Sequence, residues 1–236
     1  MGFLLKIALC LMCASTFGQA TSDKAKIADL FRKVENKYTH TNEFLLSSTY
    51  KLFASHSSHK VTESYAGVIV KKEDDYYSKI QETEFIRLKN LNIKIDNESK
   101  LMQLDKMDKN EGPLSYKISD FLSNFKDFSL TDSKGQWICT MTAPKVTFVP
   151  YSKIVVYIDK SDLKISKQIM YLLYQHTYKD AKGKKVVDYP RLEIEFSKLD
   201  LSIAPYLTKF EKSLYVTSKG RQYIPSKKYV GYQIVD

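Results

Sequence analysis

The side chains best suited to chemistry are few in this 236-residue sequence. Among its four histidines, His56 and His59 stand three apart in His56-Ser57-Ser58-His59. Two ligands of a zinc ion can adopt that spacing, but no nearby acid or cysteine completes a donor set. His40 falls at a helix end, where a cation is favoured beside the last carbonyls, and His176 lies in a strand-like run. Cys139 with a distant histidine would be the minimum for a thiol nucleophile. Trp137, Cys139 and Met141 alternate onto one strand face, however, and a thiol among such neighbours is most simply a small buried hydrophobe. Asp74-Asp75 reads as a turn, Glu82 and Glu84 as a solvated strand face, and Arg191 with Glu193 and Glu195 as exterior decoration. No nucleophile elbow, glycine-rich phosphate loop, zinc-protease helix or dinucleotide fingerprint is present. The expectation is a protein that is not an enzyme, with no catalytic residue, no metal ligand and no cofactor.

The N-terminal segment reads as an address. Residues 1–20 combine Lys6, an apolar run from Ile7 to Phe17 and small residues at the end, the pattern of a secretory signal peptide. The run is about half the ~20 residues that a membrane-spanning helix needs. Cleavage after Gly18 or after Ala20 is chemically acceptable. Neither Cys10 nor Cys13 follows a small residue, so lipidation is not expected. Removal of the leader leaves Cys139 as the sole cysteine, which gives an exported protein without an internal disulfide. It also leaves 36 basic against 27 acidic residues, a net charge of +9 compared with +10 for the whole chain. Export argues against nucleic acid as the partner of so basic a chain; a lysine-rich solvated surface, or an anionic membrane surface, fits it.

The elements follow from periodicity. Ile27, Leu30, Phe31, Val34 and Tyr38 recur at helical spacing with lysines and Arg32 on the other sides, an amphipathic helix capped by Ser22 or Asp23 and ended by Thr39 to Asn42. Strand-like runs follow at Phe44 to Ala54, Val61 to Lys72, Tyr76 to Leu88, Leu91 to Asp96 and Leu101 to Met107, with polar turns between them. Asn110-Glu111-Gly112-Pro113 breaks this meander. Ser115 then caps a second helix, with Ile118, Phe121, Leu122 and Phe125 as an apolar stripe. Strands resume at Phe128 to Thr131, Gln136 to Ala143, Lys153 to Asp159, Leu163 to Tyr178 and Val186 to Ser197, the last with Leu192, Ile194 and Phe196 as its dry face. Ala204 to Phe210 forms a helical turn, and Gln222 to Val235 returns as an edge strand. About ten antiparallel strands exceed what an open twisted sheet holds without curling. The expected fold is therefore mainly β with helices (α+β), a curved antiparallel sheet forming an unclosed barrel, lidded by the N-terminal and central helices. Residues 21–236 are expected to form a single domain.

This order resembles the periplasmic lipoprotein carriers of the LolA/LolB type. The likeness is carried by Tyr65-Ala66-Gly67-Val68-Ile69-Val70, Tyr76-Tyr77-Ser78-Lys79-Ile80 and Ile93 to Lys100 as early strands, with Ile154 to Asp159 and Leu163-Lys164-Ile165 in the second block. Phe17-Gly18-Gln19 resembles the signal-peptide ending of Bacteroidetes proteins. The resemblance implies a half-barrel whose apolar cavity accepts acyl chains in the periplasm. The cavity and lid candidates are Ile27, Leu30, Phe31, Val34, Ile118, Phe121, Leu122, Phe125, Trp137 and Met141. The expected function is an exported, non-catalytic, monomeric carrier or binding protein for a lipid or lipidated protein. The alternative is an envelope assembly protein that uses the same fold to bind another protein through aromatics such as Tyr171, Tyr174 and Tyr178.

Overall fold

A computed structural model describes residues 23–106, 118–180, 182–220 and 222–235. The expected leader with Cys10 and Cys13, the expected caps Ser22 and Ser115 and the expected break at 110–113 lie outside the described residues. Helix α1 spans 23–40. It is followed by β1 (Glu43–Phe53), β2 (Val61–Lys72), β3 (Asp75–Ile80), β4 (Thr83–Leu88), β5 (Leu91–Asp96) and β6 (Leu101–Lys106). After the short helix α2 (Ile118–Ser123) come β7 (Asp127–Ser133), β8 (Gln136–Thr142), β9 (Tyr151–Asp159), β10 (Ile165–Leu172), β11 (His176–Lys179), β12 (Lys185–Asp188) and β13 (Arg191–Phe196). Two 3-10 turns, Ala204–Phe210 and Lys212–Leu214, lead to β14 (Val216–Lys219), β15 (Gln222–Pro225) and β16 (Gln233–Val235). Twelve strands form one sheet in the order β16-β6-β5-β4-β3-β2-β1-β13-β10-β9-β8-β7; β11-β12 and β14-β15 are separate hairpins. The end strands β7 and β16 do not pair with each other, so the sheet is unclosed and the fold is α+β and mainly β, as expected. No helix among the described residues is long and apolar enough to cross a membrane.

The chain packs as two compact units, one within Met1–Tyr38, Lys51–Glu63 and Tyr116–Ile194, the other within Thr39–Tyr50, Ser64–Ser115 and Glu195–Asp236. In the first, α1 and α2 set their apolar stripes on β7 to β10: Ile27, Leu30, Val34, Leu122 and Phe125 are buried with Cys139, Met141, Ile154, Val156 and Ile158. In the second, Val70, Tyr77, Ile86, Ile93, Ile95 and Met102 of the sheet bury against Ile203, Tyr215, Val216 and Tyr229 from the C-terminal segment.

Several expected strands divide. The run Tyr76 to Leu88 is two strands, because Gln81 turns the chain with a positive φ of 50°. Leu163 to Tyr178 breaks after Leu172, and Val186 to Ser197 breaks at Tyr189-Pro190, where proline has no N–H for the ladder. The expected edge strand at the C-terminus is realised only as β15 and the three-residue β16, which pairs parallel to β6. Three charged residues assigned to solvent are instead buried: Glu84, Arg191 and Glu193. Alternation along a strand separates two faces without saying which is dry, and each of these charges carries its own partners indoors.

Candidate functional site

The sequence-predicted ligand residues all fall in the first unit, and all touch one apolar cluster. Helix α1 presents Ile27, Leu30 and Val34, from 0 to 6 % exposed, while Phe31 on the flank is half-buried. Asp23 does not merely begin this helix. It is buried, and its Oδ2 accepts the backbone N–H of Leu130 at 3.2 Å, so the first residue of α1 satisfies a donor on edge strand β7. That bond holds the helix on the sheet and blunts an edge that could otherwise recruit another strand.

Helix α2 has only six residues, fewer than the ~12 at which an isolated helix becomes marginal in water. Its last turn is closed by Asn124, whose Nδ2 donates to Asp120 O at 3.0 Å and Phe121 O at 3.1 Å. Its stripe extends an aromatic chain. Phe31 lies 6.4 Å from Phe121, Phe121 5.2 Å from Phe125, and Phe125 6.5 Å from Phe128, with Phe125 also stacked on Tyr151 at 5.9 Å. Leu122 and Phe125 are buried, whereas Ile118 and Phe121 are half-buried at the margin. Of the strand candidates, Met141 is fully buried, while Trp137 is half-exposed beneath Lys160 Nζ, 4.3 Å from its ring. All ten candidates bear carbon or sulfur towards the cluster apart from the indole nitrogen, so the arrangement suits an apolar guest. Cys139 lies in the same cluster at 0 % exposure, and burial pushes its thiol up to about 12.

The His56 to His59 turn is held structurally. Arg191 Nη1 donates to His56 O and Arg191 Nη2 donates to Ser58 O at 3.2 Å. His56 Nε2 lies 3.0 Å from Leu172 O. Arg191 Nε pairs with Glu193 Oε1 at 2.8 Å, Lys167 pairs with the other carboxylate oxygen, and the guanidinium sits 4.4 Å from the Phe53 ring centre. In the second unit, Glu84 accepts from Tyr77 Oη at 2.9 Å and Asn97 Nδ2 at 3.2 Å, with Lys209 Nζ at 3.4 Å. Burial alone would raise the Glu84 pKa, but Lys209 and the two hydrogen bonds outweigh it and hold the group below its ordinary value. Burial, followed by the adjacent Glu84 charge, pushes the Tyr77 hydroxyl well above its ordinary range. These two buried charge networks escaped the sequence because each joins residues far apart in the chain.

No protein-family model matches this sequence, and neither does any curated protein. Solved structures to which the chain is similar include a DUF1329 family protein from Desulfovibrio piger, at 14 % identity and a TM-score of 0.39 over 81 % of this chain and 98 % of that one. A LolA superfamily protein from Nitrosomonas europaea matches at 11 % identity and a TM-score of 0.33 over 77 % and 97 %. A putative outer membrane lipoprotein-sorting protein domain from Vibrio parahaemolyticus matches at 10 % identity and a TM-score of 0.37 over 79 % and 97 %.

Proposed function

We propose that this chain is an exported, non-catalytic carrier or binding protein for a lipid or a lipidated protein, working in the periplasm as residues 21–236 acting together. The observation that carries the reading is the aromatic chain from Phe31 through Phe121 and Phe125 to Phe128, roofed at one end by a six-residue helix. The described side chains of the cluster pack on one another, so a guest that enters among them displaces some. Helix α2 is the piece least able to resist: it has under two turns, and half of its stripe is only half-buried. Swinging it aside would open an uncharged interior lined by Met141 and Ile154 of the sheet and Ile27 and Leu30 of α1, where an acyl chain recovers the buried area that the helix gave up.

Replacing Phe121 with Asp tests this. A carboxylate at the margin of an opening can hydrate, whereas a carboxylate inside a closed core cannot. Binding of a fluorescent acyl probe should fall sharply while the thermal transition moves by less than the roughly 3 to 5 kcal/mol of a core phenylalanine truncation. Loss of folding and binding together marks an ordinary core. Unchanged probe binding in a folded variant refutes the role of α2.

A further inference from the structure

The first unit carries large apolar side chains in open water, gathered at one end. In the β8–β9 connection, bracketed by Pro144 and Pro150, Phe148 is fully exposed at 105 % and Val146 is 86 % exposed. This tip is tied to the next connection by Leu173 N donating to Pro150 O at 2.9 Å, which places the exposed Leu173 and Tyr174 alongside. Leu172 N donates to Pro190 O at 3.1 Å, so the excursion from 173 to 189, including hairpin β11-β12 and the exposed Val187 and Tyr189, leaves from and returns to this same end. That excursion contains four lysines, Lys179, Lys182, Lys184 and Lys185, against two aspartates, all four lysines being exposed. The tip adds Lys145 and no acid.

We infer that this end of the first unit docks on an anionic bilayer surface, with Phe148 and Val146 entering the acyl boundary and the lysine hairpin meeting lipid phosphates. Three features select a membrane over a protein. The tip is a seven-residue loop, far short of the ~800 Å² per partner that a standard protein interface buries, whereas a bilayer accepts point insertion. Tyr174 and Tyr189 beside the tip are the amphipathic rings that settle at headgroup depth. The excess of lysine complements anionic lipid, each cation near such a surface contributing about 1 kcal/mol. The inference does not depend on the acyl-chain reading, since a protein that holds no lipid inside would dock in the same way.

The test uses the purified chain and variants with the same N-terminus, sedimented with vesicles of phosphatidylcholine alone or mixed with phosphatidylglycerol. The wild type should sediment with the anionic vesicles and be released by high salt. Phe148→Asp should weaken binding roughly tenfold or more, with an unchanged melting transition because the residue packs on nothing. The triple change Lys182→Gln, Lys184→Gln, Lys185→Gln should weaken binding to anionic vesicles and leave any binding to neutral ones alone. Phe148→Trp gives a direct readout: its added fluorescence should be quenched by acyl-brominated lipid beyond the background of Trp137. Phe148→Asp binding as wild type does, or no bromine quenching at position 148, overturns the inference. So does an absence of vesicle binding accompanied by self-association that Phe148→Asp abolishes, which would make a second copy of this chain the occupant.

Discussion

Cys139 illustrates how a reactive residue type is made inert by its surroundings. It sits between Trp137 and Met141 on the buried face of β8, fully covered, and burial holds its thiol up at about 12. At pH 8 almost none of it is thiolate, the only form that attacks a disulfide reagent. Labelling of the native protein should therefore track unfolding, and a rapid first phase would contradict it. Cys139→Ser puts a hydroxyl among carbons and should cost about 1 to 3 kcal/mol by chemical denaturation. Glu84 is the opposite case, a buried group kept ionised by Lys209, Asn97 and Tyr77. Its folded pKa lies below its unfolded one. The stability it contributes is therefore complete above the unfolded value near 4.3 and disappears as the pH falls through the folded value. The melting temperature of Glu84→Gln should lie below wild type at pH 7, and the gap should close as the pH falls below about 4; a gap constant down to pH 2 would show that the charge has no part in it. The sequence marked Cys139 as buried because its two strand neighbours are apolar. Alternation alone places Glu84 in solvent, because its partners come from β3, the turn after β5 and the 3-10 segment, which local pattern does not connect.

At the scale of elements, α1 is legible in the sequence, whereas the extent of α2 and the strand ends are not: α2 stops at Ser123, short of Phe125, the last residue of the expected stripe. The 3.6-residue recurrence of Ile27, Leu30 and Val34 exists only to bury one stripe, and α1 buries it. Strand runs carry no such internal check on length, so the turns at Gln81 and at Tyr189-Pro190 were absorbed into longer strands. The buried face of β13 departs from the sequence pattern for a further reason. Arg191 and Glu193 look like surface residues by type, yet they satisfy each other, the carbonyls of the His56 turn and Lys167, and so enter the interior as a group. Such a network is unforgiving of partial removal. Arg191→Ala leaves Glu193 buried beside Lys167 alone and frees the carbonyls of His56 and Ser58; it should cost about 3 to 5 kcal/mol. Arg191→Met combined with Glu193→Leu removes both charges and keeps the volume, and should melt well above the single variant. A double variant no more stable than Arg191→Ala would mean that packing of the guanidinium on Phe53, not ion pairing, holds the turn.

At the scale of the whole molecule, the fold class was legible from strand count: ten or more strands without a solenoid repeat leave a large sheet, and twelve strands are found in it. What holds the chain together is then a matter of cores, because the only cysteine beyond residue 20 is Cys139. This gives a prediction that joins export to stability. If residues 1–18 or 1–20 are removed on secretion, the recovered protein begins at Gln19 or Thr21 respectively, carries a net charge of +9 and has one thiol with no second cysteine in the chain. Its intact mass should match one of those two starts, and its thermal transition should be the same with and without a reducing agent, even after handling in an oxidising compartment. A chain that keeps Met1 also keeps Cys10 and Cys13, three positions apart in the sequence. Recovery of the uncleaved mass would therefore remove the basis for placing the protein in the periplasm, and a stability that falls on reduction would mean that a disulfide contributes where the sequence of the processed chain allows none.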